Sequence, residues 1–395
     1  MSGPKGGAEM IRWPDADRLS SYHDAVCAAY EHAVGLSPEE LTTPALVLDL
    51  DVARRNVERM AKSLAAGPVK LRPHIKVHKS PDAARVQLAG GAIGVATATV
   101  WEAAVMLQCG IQDVLIANQV VGEEKVREAA QLAGMGSLMI AVDGAENIVH
   151  LGTAARAEGT QLGVLIEYDI GMGRSGARSI GELRRLARAV EAAPGLVLRG
   201  LMGYEGHCMS IFDRDERVAE AERAMARLAE AAEALEEEGH TCNVISGGGT
   251  GTYFISGVKP PLTETQAGTY MVMDGFHARL VPEFETALKV IGTVISRHGP
   301  VAVLDAGRKA VSSDLQAPEL LRHGVSISFV HEEHMGLTVA EGNLLRVGDK
   351  VAIRPGYGPM TVNLYDAYHV VEGGVVTRIW PIFARQPGRG QTCLL

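Results

Sequence analysis

Residues 242–252 read CNVISGGGTGT, an apolar run that passes directly into glycines and threonines. The run CNVISGGG (242–249) is the last of eight short segments rich in Val, Leu and Ile, which alternate with longer Ala-, Glu- and Arg-rich stretches. Their continuous apolar character is typical of strands buried on both faces, as in a parallel sheet. The other seven segments are ALVLDLD (45–51), VKLRPHI (69–75), GVATAT (94–99), DVLIAN (113–118), SLMIAVD (137–143), LGVLIEYD (162–169) and LRGLMGYE (198–205).

Eight strand–helix units within about 210 residues match the size of a (β/α)8 TIM barrel, and a doubly wound open sheet is the alternative. The count of eight favours the barrel. After about residue 285 the pattern changes to strands joined by Gly-rich turns, as in LLRVGDKVAIRPG (344–356). We therefore predict an α/β fold in three parts. These are an N-terminal extension over 1–40 whose packing the sequence leaves open, a barrel over 41–285 and a β-rich domain over 286–395.

Composition and charge narrow the classes of function. A formal net charge of −9 over 395 residues, with no long basic run, argues against nucleic acid as a partner. No apolar run reaches the roughly 18 residues that a membrane helix needs, and the N-terminal segment lacks the apolar middle of a secretory signal. The cysteines are an odd, sparse set without metal-type spacing, which is typical of reduced thiols and of a cytoplasmic protein. They are Cys27, Cys109, Cys208, Cys242 and Cys393.

Polar strand ends are the candidates for a site, because barrel enzymes build their active sites at the C-terminal ends of the strands. The run LRPHIKVHKS (71–80) brings two lysines, two histidines and an arginine to the end of the second predicted strand. Glycines in the run 247–252 let backbone N–H groups approach an anion closely, and the threonine hydroxyls add donors. Barrels often bind phosphate beside strands seven and eight. The alternative for the glycine run is a flexible turn.

A phosphate site beside strand-end lysines indicates pyridoxal 5'-phosphate, which needs an amine, an anion-binding loop and partners for its phenolic oxygen and ring nitrogen. Lys76 is the candidate amine. Burial and neighbouring cations lower the pKa of a lysine and expose the nucleophilic neutral form. Arg72, His74, His78 and Lys79 are the candidate neighbours. The alternative for Lys76 is a solvated lysine at a strand end.

Six motifs occur in order along the chain: TPALVLDLD, RPHIKVHKS, EYDIGMGRSG, GYEGH, SGGGTGTY and ETQAGTYMVMD. Together they resemble the family of D-threonine aldolase, D-serine dehydratase and 3-hydroxy-D-aspartate aldolase, whose members are fold-type III pyridoxal phosphate enzymes related to alanine racemase. The resemblance covers the chain from about residue 40 to the C-terminus. It implies an alanine racemase-like barrel with a C-terminal β domain, a pyridoxal phosphate cofactor, and a homodimer in which each β domain closes the other subunit's active site.

The resemblance also implies roles for individual residues. Lys76 would carry the cofactor as a Schiff base, Arg174 would contact its phenolic oxygen, and Gln266 would face its ring nitrogen. His207 would lie at the barrel mouth as a catalytic candidate. The alternative for Arg174 is an ion pair with Asp169. The implied phosphate ligands are Gly248, Gly249, Thr250 and Tyr253. The remaining cofactor-binding candidates are Tyr204, Ser246, Gly268, Thr269 and Asp274.

Enzymes of this family hold a divalent metal in the β domain, through a His-x-Cys or His-x-Asp pair just before a Pro-Thr-x-Asn stretch. This chain reads RPGYGPMTVNLYD over 354–366, which places Tyr357 and Pro359 at the two ligand positions. Proline has no donor atom, and a neutral phenol is a poor metal ligand. We therefore expect the family's metal site to be replaced. The run HEEH (331–334) is interpreted as an exposed polar turn, with a relocated ligand pair as the alternative.

Four activities stay open. The family's metal eases deprotonation or departure of the substrate's β-hydroxyl group. Without it, the enzyme can cleave Cα–Cβ with a side-chain base, act at Cα–H as a racemase, eliminate hydroxide, or bind the cofactor without catalysis. We favour a carbon–carbon lyase that converts a D-configured β-hydroxy-α-amino acid into a smaller amino acid and an aldehyde, because the cofactor supplies the electron sink. Elimination loses most without a Lewis acid. The candidate bases are Tyr357, His207, His331 and His334.

Overall fold

The computed structural model describes residues 14–240 and 242–385, and none of its described helices is both long and apolar enough to cross a membrane. The α-helices are α1 (Ala16–Tyr30), α2 (Leu50–Leu64), α3 (Pro81–Ala89), α4 (Val100–Gln108), α5 (Glu123–Leu132), α6 (Ala145–Glu158), α7 (Ile180–Ala192), α8 (Arg214–Glu236), α9 (Gly275–Leu280) and α10 (Gly358–Val362). The strands are β1 (Ala45–Asp49), β2 (Lys70–Leu71), β3 (Val95–Thr97), β4 (Asp113–Ile116), β5 (Ser137–Val142), β6 (Leu162–Glu167), β7 (Leu196–Gly203), β8 (Val244–Gly247), β9 (Glu264–Thr265), β10 (Leu288–His298), β11 (Val301–Leu304), β12 (Glu319–Leu320), β13 (Val325–Val330), β14 (Met335–Val339), β15 (Lys350–Arg354), β16 (Ala367–Glu372) and β17 (Val375–Pro381).

Eight of the described strands form a parallel barrel. The strands follow the order β2, β9, β8, β7, β6, β5, β4 and β3, and a parallel bridge between His74 and Ala96 joins the two ends. The middle strands are almost wholly buried because helices cover one face and the barrel core covers the other. The predicted alanine racemase-like barrel followed by a β-rich domain is confirmed.

The predicted list of barrel strands is wrong at both ends. The run ALVLDLD forms β1, which lies between β10 and β16 in the second sheet. The run CNVISGGG forms β8, which is the seventh barrel strand, and the eighth is the two-residue strand β9. A wholly apolar run fits the centre of either sheet, and two residues are too few to show a period. The predicted domain limits stay predictions.

The second sheet is organised by β10, the 11-residue strand Leu288–His298. Its first half pairs with β1 and β15, and its second half pairs with β11 after a register shift between Val294 and Ser296. The short helix α10 follows β15, and the Gly358 N–H group donates to the buried carboxylate of Asp274 at 2.8 Å. This contact brings one end of the β domain to the segment that precedes α9.

The described part of the N-terminal extension packs on the second sheet. The Tyr22 ring on α1 meets the Phe383 ring edge-on, with 5.5 Å between centroids. The Gly35 N–H group donates to the Val376 carbonyl at 2.8 Å, and the Val376 N–H group donates to the Leu36 carbonyl at 2.8 Å. The extension, whose packing the sequence left open, therefore packs against β17, the edge strand of the second sheet.

A buried ion network closes the barrel where β2 meets β9. The Arg72 side chain is 3% exposed, its Nε donates to Glu264 at 2.8 Å and its Nη1 donates to Asp113 at 2.6 Å. The backbone ladder between β2 and β9 contains two residue pairs. The ion network therefore reinforces one of the short pairings of the barrel.

Replacing Arg72 by Leu is expected to lower the free energy of unfolding by about 3–5 kcal/mol, because it leaves Glu264 as an uncompensated buried charge. Urea unfolding followed by circular dichroism measures the change. The control is Arg85→Leu, since the exposed Arg85 pairs with Asp82 at 2.9 Å on the surface and is expected to contribute less than about 1 kcal/mol. Equal losses in the two variants would contradict a stabilising role for the network.

Candidate active site

The two lysines of the run 71–80 have different surroundings. The Lys79 amine donates to Glu102 at 2.5 Å, and the Glu102 carboxylate is buried. Lys76 lies in the 3-10 helix Ile75–Val77 beyond β2, and within the described residues its amine has no hydrogen-bond acceptor. Lys76, and not Lys79, therefore has an amine that is available for covalent chemistry.

The surroundings of Lys76 favour its neutral amine. Lys76 keeps access to solvent, but protein surrounds it closely enough that burial lowers its pKa, and the charges of Arg174 and Lys79 lower it further against the opposing effect of Glu102. Burial also lowers the pKa of His78, to about 4, so this imidazole is neutral near pH 7. Of the four predicted neighbours only Lys79 lowers the pKa of Lys76, and the larger effect of a charge comes from Arg174, which was not among them.

A buried carboxylate shapes the loop after β8. Glu205 is fully buried and accepts hydrogen bonds from the Gly248 N–H group at 3.1 Å, the Thr252 hydroxyl at 2.7 Å and the Ser256 hydroxyl at 2.6 Å. Gly248 has φ +73°, and a Cβ atom there would lie 2.5 Å from the Thr265 hydroxyl oxygen, so the position requires glycine. The sequence places Glu205 at a strand end but carries no local signal for this role.

Two neighbouring segments offer free backbone donors. The Tyr270 N–H group donates to the Thr250 hydroxyl oxygen at 3.1 Å, which sets the loop after β8 beside the 3-10 helix Thr269–Met271. The N–H groups of Thr250, Gly251, Gly268 and Thr269 donate to no acceptor among the residues that the structure describes. Backbone donors on glycine-rich loops are typical anion ligands. The predicted phosphate loop thus has the donors that a phosphate group requires.

Gln266 joins this region to the lysine turn. Its side-chain amide donates to the Ser246 hydroxyl at 2.9 Å, and its carbonyl accepts from the His74 N–H group at 3.2 Å. A Cβ atom at Gly268 would lie 2.2 Å from the His74 carbonyl oxygen, so glycine permits this close approach. The ends of β2, β8 and β9 are therefore held together beside Lys76.

Arg174 lies beside Tyr204 at the barrel mouth. Its guanidinium carbon is 5.9 Å from the centroid of the Tyr204 ring, and its Nη2 is 3.7 Å from a carboxylate oxygen of Glu167. Asp169, the alternative partner, pairs with Arg178 instead. Arg174 therefore has a half-exposed guanidinium held by one long ion pair, which leaves donors for a ligand.

Tyr357 precedes α10 and comes from the β domain. Its ring lies nearly parallel to the His277 imidazole, at 13° and 6.3 Å between centroids. The buried Asp274 carboxylate contacts Nδ1 of that imidazole at 2.8 Å and accepts from the Gly358 N–H group at 2.8 Å. Burial raises the pKa of Tyr357, and the charges of Asp274 and Asp314 add to this rise. Tyr357 is therefore a neutral phenol near pH 7.

Three predicted residues have side chains engaged elsewhere. Nε2 of His207 lies 3.1 Å from a Glu220 carboxylate oxygen on α8, while its Nδ1 is buried without a partner among the described residues. The Tyr253 hydroxyl donates to Glu283 at 2.7 Å. The Asp274 carboxylate is fully used by α9 and α10. Each of these three side chains is thus held by a partner other than Lys76.

Tyr357 and Pro359 occupy the two positions that the motif comparison aligns with the family's metal ligands. Pro359 has no donor atom, and in the part of the chain that the structure describes no group of three or more His, Cys, Asp and Glu side chains could hold a metal ion. His331 and His334 lie on the exposed turn between β13 and β14, and the His331 ring packs against Phe329 with 4.5 Å between centroids. The interpretation of HEEH as an exposed turn agrees with this placement.

An amine of lowered pKa beside backbone donors without acceptors fits pyridoxal phosphate, and the barrel that carries both is the domain that alanine racemases use for this cofactor. A family model described as "Alanine racemase, N-terminal domain" matches residues 48–275. A second model, described as "Putative serine dehydratase domain", matches residues 287–371. The chain belongs to the family of D-threonine aldolases, 3-hydroxy-D-aspartate aldolases and related dehydratases, and membership implies pyridoxal phosphate.

Individual relatives cover nearly the whole chain. The 3-hydroxy-D-aspartate aldolase of Paracoccus denitrificans (strain Pd 1222) is 35% identical over 367 residues, which is 90% of this chain and 95% of that protein. The crystal structure of D-threonine aldolase from Filomicrobium marinum is 38% identical with a TM-score of 0.85, over 89% of this chain and 98% of that chain. The D-threo-3-hydroxyaspartate dehydratase from Delftia sp. HT23 is 29% identical with a TM-score of 0.80, over 87% and 98%. The resemblance seen in the motifs is confirmed.

Replacing Lys76 by Ala is expected to abolish covalent attachment of pyridoxal phosphate, because the second lysine of the run is engaged by a carboxylate. The measurement is borohydride reduction of the loaded protein followed by peptide mass spectrometry, and loss of the visible absorbance band gives a second readout. Lys79→Ala is the matched control and is expected to keep the mass increment on the peptide that contains residue 76. An increment that persists in Lys76→Ala would refute the assignment.

Proposed function

We propose that this enzyme is an aldolase that cleaves, and in reverse forms, β-hydroxy-α-amino acids of D configuration at Cα, and that it does so without a metal bound at positions 357 and 359. The observation that carries the proposal is the unpaired amine of Lys76, whose pKa is lowered, in a turn that contacts Gln266 and Gly268 through His74. The aldolases among the similar proteins support the choice of reaction. When bound, pyridoxal phosphate supplies the electron sink for the pair released at Cα.

The proposed roles follow from the contacts described above. Lys76 holds the cofactor, the N–H groups of the loop after β8 and of Gly268 and Thr269 bind its phosphate, and Arg174 donates to its phenolic oxygen. As the Cα–Cβ bond breaks, the substrate's β-hydroxyl loses its proton and becomes the aldehyde carbonyl. Tyr357 is proposed to accept that proton, because the β domain presents its phenol at the position where the family carries a metal ligand.

The proposal predicts aldehyde release from D-threonine or D-phenylserine that survives EDTA. The measurement is turnover with and without EDTA on protein whose metal content has been determined, and a metal-dependent aldolase of the family is the control. Activity that EDTA removes and a divalent ion restores would refute metal independence, with His331 and His334 the first residues to replace. Loss of optical rotation without aldehyde would replace aldol cleavage by racemisation.

A role for Tyr357 as the base predicts a rate that rises with pH. Only the phenolate accepts a proton, and because the pKa of Tyr357 is raised above that of an ordinary tyrosine, its ionised fraction grows throughout pH 7–10 without a plateau. Tyr357→Phe is expected to lower kcat by about 10²–10⁴-fold, the usual contribution of a general base, and to flatten the pH profile.

The matched control for Tyr357 is Tyr365→Phe. Tyr365 also lies in the β domain, but its hydroxyl donates to the Ala310 carbonyl at 2.8 Å. It is expected to keep both the rate and the slope of the pH profile. An unchanged profile in Tyr357→Phe, with cofactor absorbance intact, would remove Tyr357 from the proton transfer and direct attention to His207.

Two expectations concern the oligomeric state and the cellular location of the enzyme. The resemblance implies a homodimer in which each β domain closes the partner's site, and we propose this arrangement for the active protein. Apolar side chains are exposed next to Tyr357, at Met360 and Leu364 on and after α10, which is compatible with a partner surface there. The cytoplasmic location stays a prediction.

A further inference from the structure

A continuous chain of buried polar groups links the lysine turn to the phosphate loop. Nε2 of His78 lies 3.1 Å from the Gln87 side-chain oxygen. The Gln87 amide nitrogen donates to the Tyr270 hydroxyl at 3.3 Å, and the Tyr270 N–H group donates to the Thr250 hydroxyl oxygen at 3.1 Å. His78, Gln87 and Tyr270 are all fully buried. Three elements, the Lys76 turn, α3 and the 3-10 helix Thr269–Met271, thus meet through side chains.

The direction of each hydrogen bond in this chain follows from its first donor. The Ser80 N–H group donates to Nδ1 of His78 at 3.2 Å, so the neutral imidazole carries its proton on Nε2. That proton is donated to the Gln87 oxygen, which leaves the Gln87 amide nitrogen to donate to Tyr270. The low pKa of His78, about 4, keeps this arrangement in place across the physiological range. Replacing Gln87 therefore breaks two bonds whose partners cannot reach water.

The backbone alone holds the lysine turn weakly. β2 and β9 pair through two residues each, and on the other side the turn is joined to β3 by the single bridge between His74 and Ala96. Residues 75–77 form a 3-10 helix and add no ladder bonds to the barrel. The backbone bond from the His74 N–H group to the Gln266 carbonyl holds the start of the turn. Gln87 adds a side-chain link beyond Lys76, from His78 to the 3-10 helix Thr269–Met271.

We propose that Gln87 is a positioning residue that couples the Lys76 turn to the loop after β8, so that covalent attachment of the cofactor and binding of its phosphate reinforce each other. The inference rests on the cofactor site of the proposed function, but not on the aldol reaction. A cofactor anchored at two points gains affinity only when both anchors are held at the separation that it spans. Loosening the link costs affinity for a ligand that uses both anchors.

The test compares pyridoxal phosphate with pyridoxal, which lacks the phosphate, as ligands of the cofactor-free protein. Gln87→Met keeps the side-chain size and removes both hydrogen bonds. It is expected to weaken binding of pyridoxal phosphate about tenfold, the order expected for two buried hydrogen bonds, and to weaken binding of pyridoxal less than about threefold. The ratio, which is the dissociation constant of pyridoxal divided by that of pyridoxal phosphate, therefore decreases. A purely structural role would lower the unfolding temperature and leave this ratio unchanged.

Two further variants keep the test decisive. Tyr270→Phe removes only the hydroxyl at the far end and keeps the backbone bond to Thr250, and it is expected to shrink the ratio in the same direction. His369→Leu is the control. Nδ1 of the buried His369 on β16 lies 3.1 Å from the Leu46 carbonyl oxygen within the second sheet, so this variant is expected to lower stability without changing the ratio.

Different results test the coupling through Gln87 and the proposed aldol reaction. An unchanged ratio in both Gln87→Met and Tyr270→Phe, an equal change in His369→Leu, or a wild-type protein that binds neither ligand would overturn the coupling. Wild-type protein that binds pyridoxal phosphate and shows the expected ratios, but releases no aldehyde from D-β-hydroxy amino acids, would overturn the aldolase proposal and leave the role of Gln87 intact.

Discussion

Charged side chains that are buried at the end of β2 must be paired with opposite charges or become neutral. This constraint distinguishes Lys76, the proposed cofactor lysine, from its neighbours. Arg72 is neutralised by Glu264 and Asp113, and Lys79 by Glu102. Lys76 is the exception in the same ten residues, since burial and the charge of Arg174 lower its pKa. Pairing neutralises its neighbours and leaves one nitrogen whose pKa is lowered. Stability and reactivity are thus divided between adjacent residues.

The glycine loop shows a similar division of labour. A buried carboxylate next to an anion site is unfavourable by charge, yet Glu205 lies there fully buried. Its oxygens are occupied by the Gly248 N–H group and the hydroxyls of Thr252 and Ser256. These bonds hold the loop in one conformation, while the N–H groups further along the loop stay without acceptors. The loop is therefore largely ordered before a phosphate group binds to it.

Local patterns in the sequence point to Lys76 and the glycine loop, because each depends on a short run at a strand end, whereas Arg174 is a candidate only through the resemblance of the motifs to a family. The strand at 45–49 could not be assigned to its sheet, since an apolar run of five residues suits any buried position. β9 could not be found, because two residues carry no periodicity. Gln87 and His277 depend on which elements meet in space. The only local signal for Gln87 was a polar residue on the face of α3 that also carries Ala83 and Ala84.

In the proposed function Tyr357 takes the place of a metal ligand, which would change how the site assists removal of the proton from the β-hydroxyl group. A metal ion acts through its charge, whereas a phenolate acts through its basicity. Burial and the charges of Asp274 and Asp314 raise the pKa of Tyr357. This pKa determines both the fraction of phenolate and its strength as a base. Each unit of rise lowers the phenolate fraction near pH 7 tenfold, while Brønsted behaviour returns less than tenfold in reactivity. The raised pKa therefore costs rate at neutral pH. Asp274 nevertheless stays buried there because it joins α10 to α9 and so holds the phenol at the barrel mouth.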